Sequence, residues 1–321
     1  MVPYPFRFIA GSKLKLNKTA AVVMLTAALT LTAVPVSPVQ AAPQPAAAAN
    51  AAKVFNQFER YVKDPQQLAM AIKYLNNHVD EVDKWTGTRM TLHLENAQNA
   101  LLGTVSERID PEAVQDELGK AYMKHQTLSL GKLINSGSLK DTTKNLLYLL
   151  SQTGYKLETA EGMYYPVLDY DAYKTFKPYI GKDIGVYIDL MAAESNQPSN
   201  YDAGVVIPWS ELIDRAAAAG DFVKRYPGSN RIKNVKEMYG LYKSQLLFGD
   251  SNTPAYDSFS GEQAEPELDA ELREAYEQAV KKLPAGSELK AMLKQLLVLL
   301  DESGNKLTPK IQRYLDEQAD Q

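Results

Sequence analysis

Glu194 is the residue whose surroundings in the sequence could support acid catalysis. It ends the apolar stretch Ile188-Asp189-Leu190-Met191-Ala192-Ala193 and precedes Ser195-Asn196. Apolar surroundings raise the pKa of a carboxyl group, which lets such a group protonate a glycosidic oxygen. The pattern therefore makes Glu194 a candidate general acid. The alternative interpretation is a solvated glutamate in the last turn of a helix.

The stretch Ile188–Asn196 resembles the helix end that carries the catalytic glutamate of lytic transglycosylases. The resemblance covers about nine residues and implies peptidoglycan cleavage with Glu194 as the acid. The Gly-Leu-Met-Gln element of that family is missing downstream, where Ala203-Gly204-Val205-Val206-Ile207 stands instead. Because this element is missing, we keep the enzymatic interpretation as the alternative.

A group of basic residues stands out on this acidic chain, with Glu237 as the one acid among them. Its members are Lys224, Arg225, Arg231, Lys233, Lys236 and Lys243. Such a cluster could bind an anionic wall polymer or a phospholipid surface. The other interpretation is a solvated helix face.

Tyrosines are concentrated in the middle of the chain. Thirteen of the nineteen fall between Tyr148 and Tyr256, and Tyr164 and Tyr165 are adjacent. Tyrosine offers an apolar ring and a polar tip, which suits a carbohydrate or peptide surface. Tyrosines also fill helical cores with the hydroxyl at the rim, and both interpretations stay open for Tyr164 and Tyr165.

Other chemistries have little support in the sequence. There is no cysteine, which excludes disulfides and thiolate catalysis, and we expect no cofactor. His78, His93 and His125 lie far apart, so we expect no metal site. The acidic balance argues against general nucleic-acid binding.

The N-terminus has the pattern of a Sec-type signal peptide. Three lysines precede the apolar run Thr19–Val36, and Val39-Gln40-Ala41 is a small-residue cleavage site. We expect cleavage near Ala41, with a retained anchor as the alternative. Removing residues 1–41 takes away four basic residues and changes the net charge from −4 to −8. The mature chain is then secreted or held at the envelope, with no integral span.

The helices that would position the candidate site residues include an internal sequence repeat. Leu139–Leu157 and Leu289–Leu307 share ten identities in nineteen positions at an offset of 150. In each copy a glycine, Gly154 or Gly304, follows the last apolar turn, where it can end a helix at positive φ. The leucine stripe predicts a buried helix face, with a partner-binding groove as the alternative.

The repeat predicts an all-α fold, a helical-hairpin array with an internal duplication over about 110–158 and 265–308. A short extended segment is possible near 163–168. The expected organisation is a signal peptide (1–41), a disordered Ala/Pro lead-in (42–52), an N-terminal helical half (53–158), a tyrosine-rich helical middle (159–257), and a C-terminal hairpin with a final helix (258–321).

Two wider resemblances agree with this architecture. Phe222-x-x-x-Tyr226-Pro227-x-Ser229 resembles the end of a tetratricopeptide-type repeat in bacterial envelope proteins. The whole chain resembles uncharacterised secreted helical proteins of Gram-positive, spore-forming bacteria, which implies a location and no activity. We therefore expect a non-enzymatic binding or structural protein of the cell envelope, whose partner is a cell-wall polymer or another envelope protein. The alternative is the glycan-cleaving enzyme.

Overall fold

The structure is a computed structural model that describes residues 45–257 and 265–319. The segment interpreted as a signal peptide, residues 1–41, lies outside the described residues. The described chain begins with three helices, Pro45–Val62 (α1), Leu68–His78 (α2) and Lys84–Ile109 (α3). Phe58, Leu75 and Met90 bring one buried residue from each helix into the core.

The expectation of a disordered lead-in over 42–52 is corrected for its described part. Residues 45–52 form the first turns of α1. Alanine has the highest intrinsic helix propensity, and Ala51, Val54, Phe58 and Val62 are buried at spacings of three and four. One apolar stripe therefore continues into the alanine-rich segment.

The first repeat is a helical hairpin followed by a β-hairpin. Its elements are Glu112–His125 (α4), Leu130–Asn135 (α5), Asp141–Gln152 (α6), Tyr155–Ala160 (β1) and Met163–Leu168 (β2). Gly154 has φ +76° and separates α6 from β1, as its sequence position predicts. The extended segment near 163–168 is confirmed as β2. Residues 155–158, however, are strand and do not continue the helical hairpin.

The turn between β1 and β2 fixes which backbone groups face each other. Glu161 and Gly162 have φ +50° and +78°, as a two-residue type I′ turn requires. Ala160 and Met163 are the pair that closes it. In a two-residue hairpin the closing pair exchanges backbone hydrogen bonds, and such pairs alternate along the ladder. Tyr164 therefore points its backbone away from β1. Gln115 confirms this, because its amide accepts from Tyr164 N at 2.8 Å and donates to Tyr164 O at 2.8 Å.

The middle of the chain is mostly helical. Its elements are Tyr170–Tyr173 (α7), Lys182–Asn196 (α8), Asn200–Tyr201 (β3), Gly204–Val205 (β4), Trp209–Arg225 (α9), Ile232–Phe248 (α10), Gly249–Asp250 (β5) and Thr253–Pro254 (β6). α9 and α10 form the most extensive helix pair of the described chain, with Phe222, Val235 and Leu246 fully buried. Each small sheet pairs two antiparallel strands.

The second repeat and a final helix close the described chain. The repeat contains Glu267–Leu268 (β8), Ala270–Lys282 (α11) and Glu288–Ser303 (α12); Tyr256–Asp257 (β7) precedes it and pairs with β8, and the final helix is Pro309–Ala319 (α13). The Ser287 hydroxyl accepts from Lys290 N at 3.3 Å and caps α12. Gly304 ends α12 at φ +65°. The all-α fold class is thus confirmed among the described residues, with small two-stranded sheets added.

One hydrophobic core runs through the described chain from Val54 to Leu315. Leu147 and Leu150 of α6 and their counterparts Leu297 and Leu300 of α12 belong to it or pack against it. The leucine stripes of both repeat helices are therefore core, as the first of the two interpretations predicts.

Candidate functional site

Trp85 and Arg89 form an exposed stack at the start of α3. Asp83 caps the helix by accepting from the backbone N–H groups of Trp85 (2.9 Å) and Thr86 (3.0 Å). Residues four apart lie on the same helix face, so the Arg89 guanidinium reaches back over the indole ring. Its Cζ lies 4.5 Å from the Trp85 ring and 4.0 Å from the Phe55 ring of α1. The indole nevertheless remains 67% exposed.

A cavity of about 350 Å³ lies beside this stack, between α1 and the start of α3. Its apolar part is formed by the rings and by alanines of α1, and its polar part by Asn56, Glu81, Asp83 and Arg89. Glu81 accepts from Asn50 Nδ2 at 3.3 Å and contacts His78 Nδ1 at 2.6 Å. The hydrogen bond with His78 lowers the pKa of Glu81. The cavity therefore combines an aromatic face with an ionised carboxylate and a guanidinium.

The N–H donors of the Arg89 guanidinium have no hydrogen-bond acceptor among the described residues. It makes no hydrogen bond or ion pair with any residue of the described chain, and its contacts there are the two rings. A guanidinium carries five N–H donors in one plane, so stacking on rings leaves its edge available for a ligand.

A second concavity of about 860 Å³ follows α4 and the tip of the β1–β2 hairpin. Its apolar surface comes from Met123, 72% exposed, and Met163, 37% exposed. Asp110, Glu112 and Asp116 line it with Lys120 and Lys124. Acids toward the start of α4 and lysines toward its end are the distribution that the helix dipole favours. These charges are therefore explained without a ligand.

Arg231, a member of the predicted basic cluster, lies in the interior. Its guanidinium donates to Glu95 Oε2 from Nε at 3.0 Å and from Nη2 at 2.6 Å. The other carboxylate oxygen accepts from the hydroxyls of Tyr170 (2.8 Å) and Tyr187 (2.5 Å). Burial, with Tyr187 and Glu95 close by, raises the pKa of Tyr170 well above its usual range. Arg231 thus compensates the charge of a buried carboxylate.

The other basic candidates form no single exposed anion site. Arg225 pairs with Asp221 at 2.8 Å, and Lys233 approaches Glu237 at 3.8 Å. Lys224 donates to Gly286 O and Lys243 donates to Gln318 O, each at 3.1 Å. Lys236 is exposed. The structure therefore brings Lys224 against a backbone carbonyl of the second repeat and Lys243 against one of the final helix.

The paired tyrosines of β2 lie elsewhere. Tyr164 is 6% exposed, and its ring centroid lies 5.9 Å from that of Tyr122. Tyr165 is half-buried. Tyr164 contacts α4, whereas Lys224 and Lys243 contact the segments around α12 and α13. The structure does not join the two groups of binding candidates.

Glu194 is buried in a second ion-pair network. Arg215 Nη1 donates to its Oε1 at 2.7 Å, and the Tyr242 hydroxyl donates to the same oxygen at 2.6 Å. Ser199 donates to Oε2 from its backbone N at 3.1 Å and from its hydroxyl at 3.2 Å. Only 7% of Glu194 is exposed. Burial disfavours the charged form of Arg215. The hydrogen bonds that Arg215 donates to Glu194 and Glu211 nevertheless raise the pKa of its guanidinium.

The three histidines contact three different partners. His78 contacts Glu81, His93 contacts Glu59 at 2.5 Å, and His125 contacts Ser138 at 2.8 Å. Across the described ranges, no three His, Asp or Glu side chains are grouped so as to hold a metal ion.

Sequence reasoning did not single out Phe55, Trp85 or Arg89 as a site. The available signal was Asp83 before Trp85, a helix cap that leaves the second residue of α3 at the surface. The contact with Phe55 joins α1 to α3 across 34 residues, and no local pattern shows it.

Comparisons with family models, with curated proteins and with solved structures found no match to this chain. Within the described ranges, no helix combines the length and apolar character needed to cross a bilayer.

Proposed function

We propose that this protein is a non-enzymatic binding protein of the cell envelope that holds a glycan at the Trp85 cavity. The export part of the proposal is supported by the N-terminal lysines, apolar run and small-residue cleavage site of the sequence. The binding part is supported by the geometry of Trp85, Arg89 and Phe55.

The exposed indole of Trp85 carries the proposal. A sugar ring has an apolar C–H face and a polar hydroxyl rim, so it stacks on an aromatic ring while its hydroxyls form hydrogen bonds around the edge. Trp85 offers such a face at 67% exposure, and Arg89 holds the indole in place from one side. A large aromatic ring fixed by a neighbour loses little conformational entropy on binding.

The polar groups around Trp85 match the hydroxyls of a sugar. Glu81 supplies acceptors, and the unpaired edge of the Arg89 guanidinium supplies donors. Asn56, exposed on α1, supplies both. A mixture of carboxylate, amide and guanidinium suits a neutral or amino sugar better than a polyanion, because Glu81 and Asp83 repel anions.

The test uses the two tryptophans of the chain, Trp85 and Trp209. In a Trp209→Phe variant, Trp85 is the remaining fluorophore, and titration with soluble peptidoglycan glycan fragments should shift its emission. Trp85→Ala should abolish co-sedimentation with purified cell-wall sacculi, whereas Trp209→Phe should retain it. Equal co-sedimentation of both variants, or none for the wild-type protein, would reject the proposal.

The alternative function, glycan cleavage with Glu194 as general acid, is tested by the release of muropeptides. An acid catalyst must present a proton to the substrate, whereas both Glu194 oxygens accept hydrogen bonds from protein donors. The same sacculi should be assayed for released muropeptides beside Glu194→Gln. Release that disappears in this variant would favour the enzyme over the binding protein.

A further inference from the structure

Two exposed methionines line the concavity of about 860 Å³ beside α4, which we call the α4 concavity. Met123, in the last turn of α4, is 72% exposed, and Met163, the first residue of β2, is 37% exposed. Methionine side chains are unbranched and polarisable, so they adapt their shape to the apolar groups of a ligand. The helix dipole accounts for the order of the charges along α4 but gives no reason for two exposed apolar side chains. The methionines are therefore candidates for contact with a partner.

Gly119 lines the same concavity at a position where the fold does not require glycine. It lies inside α4 and is not among the residues with positive φ. Glycine inside a helix is less stable than alanine there. The nearest atom of another element that a Cβ at Gly119 would meet is Cε2 of Tyr164 at 3.8 Å, an ordinary van der Waals contact. Neither backbone conformation nor packing explains the glycine, whereas a ligand that approaches α4 closely would.

The charged residues of the α4 concavity are separated by sign along the helix. Glu112 and Asp116 lie on the first half of α4, and Lys120 and Lys124 lie on the second. Although Asp116 and Lys120 are four residues apart, they form no ion pair with each other or with another residue of the described chain. Lys124 donates to Ser138 Oγ at 3.4 Å. The surface therefore has a negative end and a positive end whose charges can meet a partner.

The spacing of these charges defines the ligand. We propose that the α4 concavity binds an extended peptide segment with a basic residue, an apolar residue and an acidic residue. A helix rises about 1.5 Å per residue, so the centres of the acidic and basic pairs lie about 12 Å apart. An extended chain rises about 3.3 Å per residue, so charges about four positions apart span this distance. The apolar residue between them lies over Gly119 and contacts Met123 and Met163.

Other ligand classes fit this surface less well. Sugar rings stack on aromatic rings, and the described residues that line the α4 concavity include no aromatic side chain. An anionic membrane attracts surfaces with an excess of basic residues, whereas three acids and two lysines line this one. The site does not involve Trp85, so peptide binding goes beyond the proposed glycan binding and is independent of it.

Isothermal titration calorimetry with synthetic peptides tests the proposal on the wild-type protein. The probe is Lys-Gly-Leu-Gly-Glu, acetylated and amidated so that only its side chains are charged. It should bind with a Kd below about 1 mM. Lys-Gly-Gly-Gly-Glu should bind at least about tenfold more weakly, because it lacks the apolar side chain. Absence of binding by the leucine probe, or equal Kd values for the two probes, would overturn the proposal.

Gly119→Leu places a side chain in the α4 concavity without straining the helix. Leucine is a better helix former than glycine, so the variant should unfold at the wild-type temperature or above. It should nevertheless bind the leucine probe at least about tenfold more weakly, because its side chain occupies the position of the ligand. Gly240→Leu is the matched control and should keep the wild-type Kd, since Gly240 is an exposed glycine of α10 with open space around it. A folded Gly119→Leu variant that binds the probe normally would refute the site.

A charge exchange tests the positive end independently and decides if Gly119→Leu does not fold. Lys120→Glu combined with Lys124→Glu makes the whole surface acidic. This double variant should bind Lys-Gly-Leu-Gly-Lys more tightly than Lys-Gly-Leu-Gly-Glu, whereas the wild-type protein should show the opposite preference. Circular dichroism establishes that the variant is folded. An unchanged preference would contradict the proposal. Binding of soluble peptidoglycan glycan fragments that is lost in Gly119→Leu would make a sugar the ligand and would also overturn it.

Discussion

Glu95 and Glu194 show how individual buried charges are accommodated in this protein. Each carboxylate accepts hydrogen bonds from an arginine and a tyrosine, and each has less than a tenth of its surface exposed. Desolvation makes such pairs weak net contributors to stability, but removing one partner leaves an uncompensated charge. Arg231 and Arg215 are thus required by the carboxylates that they face.

Arg231→Met should therefore destabilise the fold strongly. It leaves Glu95 buried without its cation, and we expect the free energy of unfolding to fall by about 3–5 kcal/mol. The control is Lys233→Met, which removes an exposed lysine 3.8 Å from Glu237 and should cost at most about 1 kcal/mol. Urea denaturation of both variants measures the difference, and equal losses would show that the buried pair has no special role.

Glu117 gives the protein a defined acid sensitivity. Its hydrogen bond with the Lys140 side chain lowers the pKa of Glu117 from 4.5 to about 2. A carboxyl group whose pKa is lower in the folded state stabilises the fold above its unfolded pKa. That stabilisation is lost as the pH falls from 4.5 to about 2. Glu117→Gln should therefore lose less stability than wild type across this interval in denaturation at successive pH values. Parallel pH profiles would contradict the assignment.

At the scale of elements, the repeat helices end in the same conformation but in different surroundings. Gly154 and Gly304 have φ +76° and +65°. A side chain at Gly304 would meet open space, whereas at Gly154 it would collide with the Gln98 amide. That amide donates to Thr153 O at 2.8 Å, so it cannot move without losing a buried hydrogen bond.

Alanine at the two glycines should separate conformational strain from packing. Gly304→Ala should cost about 1–2 kcal/mol, because alanine resists positive φ. Gly154→Ala should cost about 1–3 kcal/mol more, because Gln98 loses its hydrogen bond to Thr153 O. Chemical denaturation provides both values. Equal costs would mean that Gln98 moves aside freely.

The sequence predicted the helices better than the short strands. Leucines at spacings of three and four predict α6 and α12, and Gly154 and Gly304 predict their ends. The repeat predicts a helical hairpin through residue 158, whereas residues 155–160 form β1; Gly162 is the local turn signal at its end. The basic cluster was predicted from charge alone. A local pattern cannot show that Arg231 meets Glu95, 136 residues away.

At the scale of the whole molecule, the helices share one core. Buried residues from α1 to α13 belong to it, and Tyr276 of α11 donates to Leu246 O of α10 inside it. The two repeats are therefore not packed as separate units, although their sequences are related. A continuous core favours cooperative unfolding.

Because the helices share one core, we expect the protein to unfold in a single transition. Trp85 reports on the N-terminal helices and Trp209 on α9. In Trp85→Phe and Trp209→Phe variants, the fluorescence of the remaining tryptophan should follow the same urea midpoint as far-UV circular dichroism of that variant. Separated midpoints would show that the two regions unfold independently.

The pairing of Glu95 with Arg231 also has a consequence for folding during synthesis, because Glu95 is made first. A ribosome adds about 5–20 residues per second, so Glu95 precedes its counter-charge by roughly 7–27 seconds of synthesis. The tyrosines that bind Glu95 arrive earlier but bring no positive charge. The N-terminal helices therefore cannot complete their interior until nearly three quarters of the chain has been made. During that interval the nascent chain remains incompletely folded.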